Sequence, residues 1–505
     1  MSLARSQTAT QSDIHHTDAT ETSVHQTTVH QTTNSVDAHT ENAGIIIIGA
    51  GMAGSRFAIE LARAQLDSVH SHPPITLISK EPHVGYNRIM LSPVLAGDKA
   101  FDDTYLYDQS DYEQLGITVL AGVSVDTIDT EQQYIELDNG QTLHYAKVVI
   151  ATGSTARVIP FPNHTAKGVH VFRDFTDVTT LTEYARQGKT GLVIGGGVLG
   201  LEAACALAGQ GATMTVIHVD GYVLNAQLDL PAAELLQAEL SRRGVGLEVS
   251  ANTESIAMNE AGEVCGLSLK DGRTLAADFI VMAVGVIPNT ALAKDSGLEV
   301  NRGIVVDDCM HTSCPHVYAI GECVELDGEL FGMVAPVNQQ VDTLVTVLKD
   351  TVVSDAAITP NDIASNGTLS NAIASESGAP SQEHWQPFVS KPLSLKLKVS
   401  GVAAFSAGQI AFDDSDVEDI ETLVYRQPTL NHYHCLYLKD NKVVGAVLYG
   451  EVNDGSFYSQ LIMDDVDITP IKEVLIFGEA YCDLDTLDSN NMANSTTSDL
   501  VEETS

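Results

Sequence analysis

The stretch Ile45-Ile46-Ile47-Ile48-Gly49-Ala50-Gly51-Met52-Ala53-Gly54 decides the fold. Four consecutive β-branched residues are typical of a strand that is buried on both faces. The strand leads directly into the pattern G-x-G-x-x-G, and residues 55–63 continue with the apolar spacing of a helix. A strand, a glycine turn and the start of a helix together form the phosphate-binding unit of a Rossmann fold.

Each glycine of this motif has a separate physical task. Gly49 allows the tight turn, Gly51 lets a pyrophosphate reach the backbone, and Gly54 lets the helix pack closely on the strand. The N–H groups at the start of the helix then face the anion. The predicted cofactor contacts of this first motif are Gly49, Ala50, Gly51, Met52, Ala53 and Gly54.

The same pattern occurs a second time. The strand 192–194 is followed by Gly195-Gly196-Gly197-Val198-Leu199-Gly200 and again by a helical pattern. Each unit also has a closing strand that ends in small residues, residues 142–153 in the first unit and 278–289 in the second. Two complete units predict two bound dinucleotides. The contacts predicted for the second motif and the closing strands are Ala151, Thr152, Gly153, Gly195, Gly197, Val198, Leu199, Gly200 and Gly285.

The residue at the end of the second strand of such a unit contacts the ribose. In the first unit Lys80 and Glu81 follow the strand 75–78, and Glu81 is the predicted ligand. In the second unit His218 follows the strand, and residues 218–233 contain neither Arg nor Lys. Because a 2′-phosphate is bound by basic residues, the sequence favours NADH over NADPH, with His218 as the predicted contact.

Length, charge and cysteine content exclude several classes of function. The chain has 505 residues and a formal net charge of −41, which excludes a nucleic-acid partner and an anionic membrane surface. No apolar run approaches the ~18 residues of a membrane span, and the N-terminus lacks the pattern of a secretion signal. The seven cysteines do not form a disulfide framework, so we expect a cytoplasmic protein.

Composition divides the chain into segments. The ends, 1–42 and 483–505, are polar and lack the apolar residues of a core, so they are predicted to be disordered. Residues 393–461 alternate like strands, with Asn441 and Gly445 near turns. The predicted segments are a tail 1–42, an FAD-binding domain 43–157 and 278–350, an NAD(P)H-binding domain 158–277, a linker 351–388, a C-terminal α+β domain 389–482 and an acidic tail 483–505.

Two Rossmann units in this order, with the second inserted in the first, resemble the flavoprotein superfamily related to disulfide reductases. In that superfamily the first site binds FAD and the second binds NAD(P)H. The resemblance implies a glutathione-reductase-like α/β fold with a further C-terminal domain. It places Glu322 where the superfamily holds the flavin ribityl chain with an acid, and it implies further FAD contacts at Arg88, Val125, Gly321 and Val334.

Residues 86–97, 321–325, 331–336 and 445–450 resemble, more narrowly, the flavin-binding front part of the large subunit of assimilatory NAD(P)H nitrite reductases. Those subunits continue with cysteine-rich iron–sulfur modules and a sirohaem domain. This chain has no C-x-x-C, and the cysteine spacing predicts no metal site. We therefore expect that it does not reduce nitrite by itself. It would pass electrons to a separate iron–sulfur or rubredoxin-type protein, with a nitrate or nitrite reductase subunit as the candidate, and an oligomer is compatible with the sequence.

The resemblance also implies the catalytic position. Glu202 stands where related reductases place an acid against the nicotinamide amide, but Pro93 replaces the lysine that accompanies this acid in ferredoxin reductases. The first cysteine is Cys205, in the second unit, which argues against disulfide reductases and cysteine-dependent oxidases. Cys323 is expected to pack in the core. A rubredoxin or ferredoxin reductase, and a flavin-bound redox sensor with low turnover, remain the alternative functions.

Overall fold

The isoleucine run forms the first described strand, β1 (Gly44–Ile48), and all five of its residues are buried. β1 pairs in parallel with one strand on each edge, so both faces and both edges are covered, as its composition predicts. The computed structural model describes residues 44–66, 72–350, 388, 394–399, 401–412 and 417–487. The predicted tail 1–42, the linker 351–388 apart from Phe388, and residues 488–505 lie outside the described residues.

The helices and strands alternate through the first two thirds of the described chain. The α-helices are α1 (Met52–Leu66), α2 (Leu91–Ala96), α3 (Gln109–Gln114), α4 (Phe175–Arg186), α5 (Val198–Gly209), α6 (Leu230–Arg242), α7 (Ala291–Asp295), α8 (Val334–Leu348) and α9 (Gly455–Met463). The strands that follow β1 are β2 (Ile75–Ser79), β3 (Thr118–Ala121), β4 (Val125–Asp129), β5 (Tyr134–Leu137), β6 (Thr142–Ile150), β7 (Ser154–Ala156), β8 (Val169–Val171), β9 (Thr190–Ile194), β10 (Thr213–Ile217), β11 (Gly246–Glu248), β12 (Thr253–Met258), β13 (Val264–Leu269), β14 (Thr274–Ala276), β15 (Phe279–Met282), β16 (Val286–Pro288), β17 (Ile304–Val305), β18 (Val317–Ala319), β19 (Val324–Leu326), β20 (Glu329–Leu330), β21 (Ser394–Val399), β22 (Val402–Gly408), β23 (Glu421–Gln427), β24 (His432–Lys439) and β25 (Lys442–Tyr449).

Two parallel sheets position the glycine motifs. The first has the order β3-β2-β1-β6, with β18 also parallel to β6, and β5 and β4 extend it as an antiparallel edge. The second has the order β11-β10-β9-β15-β8 and is parallel throughout. In each sheet the carboxyl ends of the parallel strands meet at one edge, which is where open α/β sheets bind their ligands.

The chain leaves the first sheet at β7 and returns at β16, and these two strands pair with each other in an antiparallel ribbon. The second sheet is therefore inserted in the first unit, as predicted. One predicted boundary is wrong: residues 279–282 form β15 inside the second sheet, whereas the boundary at 277/278 assigned them to the FAD-binding domain. The predicted closing strand 278–289 also breaks into β15 and β16, because Gly285 takes a positive φ of 98° between them. The limits at 42/43, 157/158, 350/351 and 388/389 stay predictions.

Residues 394–449 form a five-stranded antiparallel sheet, β21-β22-β25-β24-β23. Two details differ from the expectation of strands up to residue 461. Residues 455–463 form α9, because Tyr458 and Leu461 bury one helical face. Gly445 lies inside β25, where a Cβ would approach Gln409 O to 1.8 Å, whereas Asn441 does lie in the β24–β25 turn.

The C-terminal sheet shares a core with the second unit. Tyr433, Cys435 and Tyr449 belong to the same buried cluster as residues of α5 and α6. Asp229 accepts hydrogen bonds from the hydroxyls of Tyr433 and Tyr437 and from Ala232 N at the start of α6. The predicted acidic tail begins too early at residue 483, because Leu487 is buried in the core of this C-terminal region.

Candidate functional site

The first glycine motif has the geometry that its sequence predicts. Gly49 has a φ of 109°, and a Cβ there would lie 2.2 Å from Ala151 O at the end of β6. A Cβ on Gly54 would lie 1.9 Å from Gly49 O, so only glycine lets α1 pack this closely on β1. A Cβ on Gly51, in contrast, would meet no heavy atom of the described chain within 4 Å, apart from its sequence neighbours. Gly51 therefore leaves room for a ligand rather than for protein.

The second glycine motif repeats this arrangement position by position. Gly195 has a φ of 120°, and a Cβ there would lie 2.2 Å from Ala283 O. A Cβ on Gly200 would lie 2.1 Å from Gly195 O. A Cβ on Gly197 would again meet nothing within 4 Å among the described residues beyond its sequence neighbours. The first turns of α1 and α5 consist of uncharged residues. Both helix N-termini therefore favour an anion, and both cradles fit the pyrophosphate of a dinucleotide.

One cleft of about 2300 Å³ joins the carboxyl edges of the two sheets. It brings together most of the predicted contacts. The predicted residues that line it are Gly49, Ala50, Gly51, Met52, Ala53, Glu81, Arg88, Val125, Ala151, Thr152, Gly153, Val198, Leu199, Glu202, Gly321, Glu322 and Val334. Six predicted residues do not line it, namely Gly54, Gly195, Gly197, Gly200, His218 and Gly285. Three of these glycines, Gly54, Gly195 and Gly200, face protein backbone or side chains, which explains their position behind the cleft wall.

Glu81 lies in the cleft but already has partners. Its carboxylate pairs with the Arg88 guanidinium and accepts a hydrogen bond from Tyr86 Oη at 2.7 Å. Burial keeps the pKa of the Tyr86 hydroxyl above its usual range, so this hydroxyl stays a donor. Two donors therefore hold the Glu81 carboxylate at the end of β2. The contact of Glu81 with the ribose stays a prediction, and Arg88 holds the Glu81 carboxylate in position.

Glu322 is held by a residue that the sequence did not predict. Its carboxylate pairs with the Arg173 guanidinium and accepts from Ser154 Oγ at 2.8 Å. Arg173 follows β8 of the second sheet, whereas Glu322 follows β18 of the first, so this ion pair crosses between the two units. Arg88 Nη1 donates to Arg173 O at 3.0 Å and extends the link.

A capping box fixes the backbone of Arg173. Asp174 Oδ1 accepts from Asp177 N at 2.9 Å, and Asp177 Oδ2 accepts from Arg173 N at 2.8 Å. Burial, together with the neighbouring Asp174, raises the pKa of the Asp177 carboxyl to about 6. The Arg173 Nε atom is buried and has no hydrogen-bond partner among the described residues. A polar ligand in the cleft would satisfy it, which is a second observation that fits a bound cofactor.

Glu202 projects from α5 into the cleft. Ser92 Oγ of α2 donates to Glu202 Oε2 at 2.6 Å. Burial raises the pKa of the Glu202 carboxyl, and the hydrogen bond from Ser92 offsets part of this rise because it stabilises the charged form. Pro93 stands where the resemblance implies a lysine, and the neighbouring Ser92 is the hydrogen-bond partner of Glu202 instead. Sequence reasoning overlooked Ser92 because a lone serine on a short helix has no distinguishing pattern.

His218 lies against the second glycine loop rather than in the cleft. Gly196 N donates to His218 Nδ1 at 3.2 Å, and a Cβ on Gly196 would lie 2.8 Å from the imidazole. Asn225 links His218 to Asp220, whose carboxylate accepts from Asn225 Nδ2 at 3.0 Å. The end of β10 thus presents a carboxylate at the surface, which disfavours a phosphate there.

The seven cysteines are not joined by disulfide bonds. Cys205 lines the cleft on α5, and Cys323 is buried behind it, with its thiol directed at Ile320 O at 3.2 Å. Burial raises the pKa of the Cys323 thiol, so this side chain packs as a neutral group, as expected.

Further residues shape the cleft beyond those that were predicted. Gln340 of α8 is fully buried and accepts from Gly321 N at 2.8 Å, so it orients the Gly321–Glu322 turn. A position at the end of a parallel strand or at a helix start signals only some of the missed residues, such as Ser79 at the end of β2 and Met333 before α8, and Gln340 inside α8 has no such signal. The lining residues that sequence reasoning missed include Ser79, Pro82, His83, Ser124, Asn289, Met333, Ala335 and Asn338.

No helix in the described part of the chain is long and apolar enough to cross a bilayer.

Comparisons with known proteins show which family the chain matches. The model of the pyridine nucleotide-disulphide oxidoreductases matches residues 43–345, and that of the rubredoxin NAD+ reductase C-terminal domain matches residues 394–466. The chain is 36% identical over 432 residues to a nitrite reductase [NAD(P)H] of Bacillus subtilis, covering 86% of this chain and 48% of the relative. It is 35% identical to the assimilatory nitrate reductase electron transfer subunit of the same organism, covering 86% and 51%. The chain thus spans about half the length of these relatives.

A solved structure shows the same architecture. The NADH:rubredoxin oxidoreductase from Clostridium acetobutylicum superposes with a TM-score of 0.65 at 26% identity, covering 86% of this chain and 98% of that one. The two-unit α/β fold with a C-terminal domain that the sequence predicted is therefore confirmed.

Proposed function

Because the chain belongs to the pyridine nucleotide-disulphide oxidoreductase family, we propose that it passes electrons from NADH through FAD to a separate metal-containing acceptor in nitrate or nitrite assimilation. The protein is an FAD-dependent NAD(P)H oxidoreductase. The acceptor, the pathway and the preference for NADH are the proposed parts. The observation that carries the proposal is the pair of glycine cradles, one after β1 and one after β9, together with a cleft that is lined by the first cradle and by residues of α5, the helix that follows the second.

The residues divide into two groups by the sheet that carries them. We assign the first sheet's cradle at Gly51 to FAD, with Glu81 at the ribose and Glu322 at the ribityl chain. We assign the second cradle at Gly197 to NADH, with His218 beside its ribose. When bound, FAD accepts a hydride from NADH and releases the two electrons one at a time.

Positioning is the work that the protein's own side chains do in this reaction. We assign Glu202, which Ser92 holds in the cleft, to the nicotinamide amide, whose hydrogen bond to a charged carboxylate would orient the ring. Its half-buried site keeps bulk water from competing for that hydrogen bond. The Arg173–Glu322 pair ties the second unit to the first on the other wall of the cleft. Hydride transfer needs no proton donor, so these residues orient the reactants rather than exchange protons.

The relatives' names support the proposed acceptor. One is named an electron transfer subunit of assimilatory nitrate reductase, and another is named a nitrite reductase. The strong negative charge of the chain, −41, favours an acceptor with a basic face or one that stays associated. A rubredoxin reductase is the second candidate, because residues 394–466 match the C-terminal domain of rubredoxin NAD+ reductases.

Two further proposals concern the coenzyme and the compartment. NADH is favoured because Asp220 places a carboxylate at the end of β10, where a 2′-phosphate would require a cation. The cytoplasm is proposed because this chain, with seven cysteines, forms no disulfide bond among them.

An acceptor screen by stopped-flow absorbance tests the proposal. The holoprotein is reduced anaerobically with NADH and mixed separately with a purified nitrate reductase catalytic subunit, a rubredoxin and a [2Fe–2S] ferredoxin. We expect the fastest reoxidation with the nitrate reductase component. Faster turnover of rubredoxin would instead support the second candidate. Slow flavin reduction by NADH itself would show a sensor and would overturn both.

A further inference from the structure

A second concave surface lies apart from the dinucleotide cleft. It is a recess of about 520 Å³ next to the turn 307–311, between β17 and β18. Among the described residues, it shares none of its lining with the cleft. The recess is acidic, and its charged lining residues other than His311 are Glu299, Asp307, Asp308 and Asp327. Several carboxylates around one hollow lower the potential there and attract cations.

The turn beside the recess is fixed by its own hydrogen bonds. Asp307 Oδ1 accepts from Cys309 N and from His311 N, each at 2.9 Å. Met310 is fully buried and has a φ of 66°, a conformation that a bulky residue adopts only when its surroundings require it. With Met310 anchored in the core, Cys309 and His311 remain partly exposed on the surface. The turn therefore holds three side chains of different chemistry in one place.

These three side chains can meet at one point. A carboxylate oxygen of Asp307, the sulfur of Cys309 and a ring nitrogen of His311 all lie within 4.8 Å of one another. Asp307 Oδ2 and His311 Nδ1 are 3.4 Å apart. Tetrahedral zinc with bonds of about 2.0–2.3 Å needs ligand atoms about 3.3–3.8 Å apart. Because Asp307 and His311 are partly exposed, small side-chain rotations would close the remaining gap.

We infer that Asp307, Cys309 and His311 form a binding site for a borderline divalent transition-metal ion, with Zn²⁺ as the representative. The set of one oxygen, one sulfur and one nitrogen suits such an ion better than Mg²⁺ or Ca²⁺, which prefer oxygen ligands alone. Three protein ligands leave a fourth position for water. On binding, the Cys309 thiol, which donates to Asp308 Oδ1 at 3.5 Å, loses its proton to solvent, and no electron is transferred.

The spacing of the cysteines predicts no metal site, and this cluster differs from that expectation. A carboxylate and an imidazole at alternate positions around a single cysteine contain no pair of cysteines at ligand spacing. The neighbouring Cys314 and His316 do not join the cluster. Cys314 directs its thiol at Pro315 O, and His316 Nδ1 contacts Lys147 Nζ at 2.8 Å. These two residues therefore provide matched control positions of the same chemistry.

Cobalt titration of the full-length, FAD-loaded protein tests the inference. A cysteine thiolate bound to Co²⁺ gives a charge-transfer band, which a difference spectrum separates from the flavin absorbance. Co²⁺ bound by the histidines of residues 1–42 gives no such band, because that segment contains no cysteine and the first cysteine of the chain is Cys205. We expect one equivalent of Co²⁺ to produce the band and Zn²⁺ to displace it. Cys309→Ser should abolish the band, and Cys314→Ser should retain it.

His311→Ala gives a second test that does not remove the reporting sulfur. Loss of a ligand should weaken Co²⁺ binding by at least about tenfold, since loss of an outer-shell partner alone costs about 10- to 100-fold. His316→Ala should leave the affinity unchanged. FAD content and melting temperature check that each variant is folded. A missing band in the parent protein, a band that persists in Cys309→Ser, or equal weakening by His316→Ala would overturn the inference.

Discussion

Replacing Gly197 by alanine should raise the Kd for NADH while the protein keeps its fold and its FAD. Gly197 has a φ of −80° and a ψ of 178°, an extended conformation that alanine adopts without strain. Its new Cβ would meet no described heavy atom within 4 Å beyond its sequence neighbours. The methyl group would stand only in the space that we assign to the pyrophosphate. Gly51→Ala is the matching change in the first cradle.

The size of the effect follows from the hydrogen bonds that the methyl group prevents. A backbone N–H that binds a charged phosphate oxygen contributes about 1.5–3 kcal/mol. Loss of one such bond gives about 1.5–3 kcal/mol, or a rise of roughly 10- to 140-fold in the Kd for NADH. The free energy of unfolding should change little or rise by about 0.4–1 kcal/mol, because alanine restricts the unfolded chain.

Three measurements on the two variants separate binding from folding. FAD content after gel filtration reports the first cradle, anaerobic titration with NADH reports the second, and thermal melting reports stability. We expect Gly197→Ala to be yellow and folded but slow to be reduced by NADH, with a raised KM. We expect Gly51→Ala to be folded but largely colourless.

Two results would refute this reasoning. A normal KM for NADH in Gly197→Ala would show that the second cradle does not hold the nicotinamide dinucleotide. A large fall in melting temperature in Gly197→Ala, which should keep its FAD, would show that the space at Gly197 is not open in solution. Gly54→Ala serves as the contrast, because its Cβ would lie 1.9 Å from Gly49 O and should destabilise the fold itself.

Three further changes test other parts of the site. Ser92→Ala removes the donor that stabilises the charged Glu202, so the pKa of the Glu202 carboxyl, already raised by burial, should rise further. The acidic limb of kcat/KM for NADH should then move to higher pH in a pH–rate profile, and an unchanged limb would exclude Glu202 as the titrating group. Asp220→Asn removes a negative charge at the end of β10, so kcat/KM for NADPH should rise by roughly 5- to 30-fold, equivalent to about 1–2 kcal/mol. The value for NADH should stay within about twofold. Steady-state kinetics with both coenzymes measure the ratio of the two kcat/KM values, and an unchanged ratio would show that the assignment is wrong. Asp229→Ala removes the cap of α6 and the acceptor of two tyrosine hydroxyls, so the free energy of unfolding should fall by about 2–4 kcal/mol. Urea unfolding measures the loss, with Asp271→Ala as the exposed control.

The glycine motifs could be predicted because their requirement is local. Gly49 and Gly195 need a positive φ, and Gly54 and Gly200 need the absence of a Cβ, so the sequence must hold glycine at these positions. The strand before each motif is buried on both faces and reads as a continuous apolar run. The order of the two units follows from the same local signals.

The contacts that complete the cleft could not be predicted in this way. Arg173 meets Glu322, and Ser92 meets Glu202, across more than a hundred residues of sequence. No local periodicity or turn chemistry records a contact between side chains of different units. The capping box of Asp174 and Asp177 is a local contact, but the position of Arg173 beside Glu322 depends on the arrangement of both sheets.

The boundary at 277/278 failed for a related reason. Residues 278–289 are predicted as the closing strand of the second unit, yet the boundary separates them from it. The chain returns to the first unit only at β16, and the pairing of β16 with β7 is a long-range contact that no local pattern records. In the C-terminal region, strand-like alternation continued into residues 455–463, which are helical because the apolar residues Tyr458 and Leu461 are three positions apart. Short apolar segments do not distinguish a strand from a helix until their packing partners are known.

The central claim is that the cleft brings a nicotinamide directly against a flavin, with no thiol between them. Anaerobic titration of the purified holoprotein with NADH tests this most directly, since the flavin absorbance counts the electrons. The account predicts complete flavin reduction by one equivalent of NADH per FAD, with the same end point in Cys205→Ser, whose parent side chain is the cysteine that lines the cleft. A requirement for two equivalents, or an end point that changes in Cys205→Ser, would contradict it.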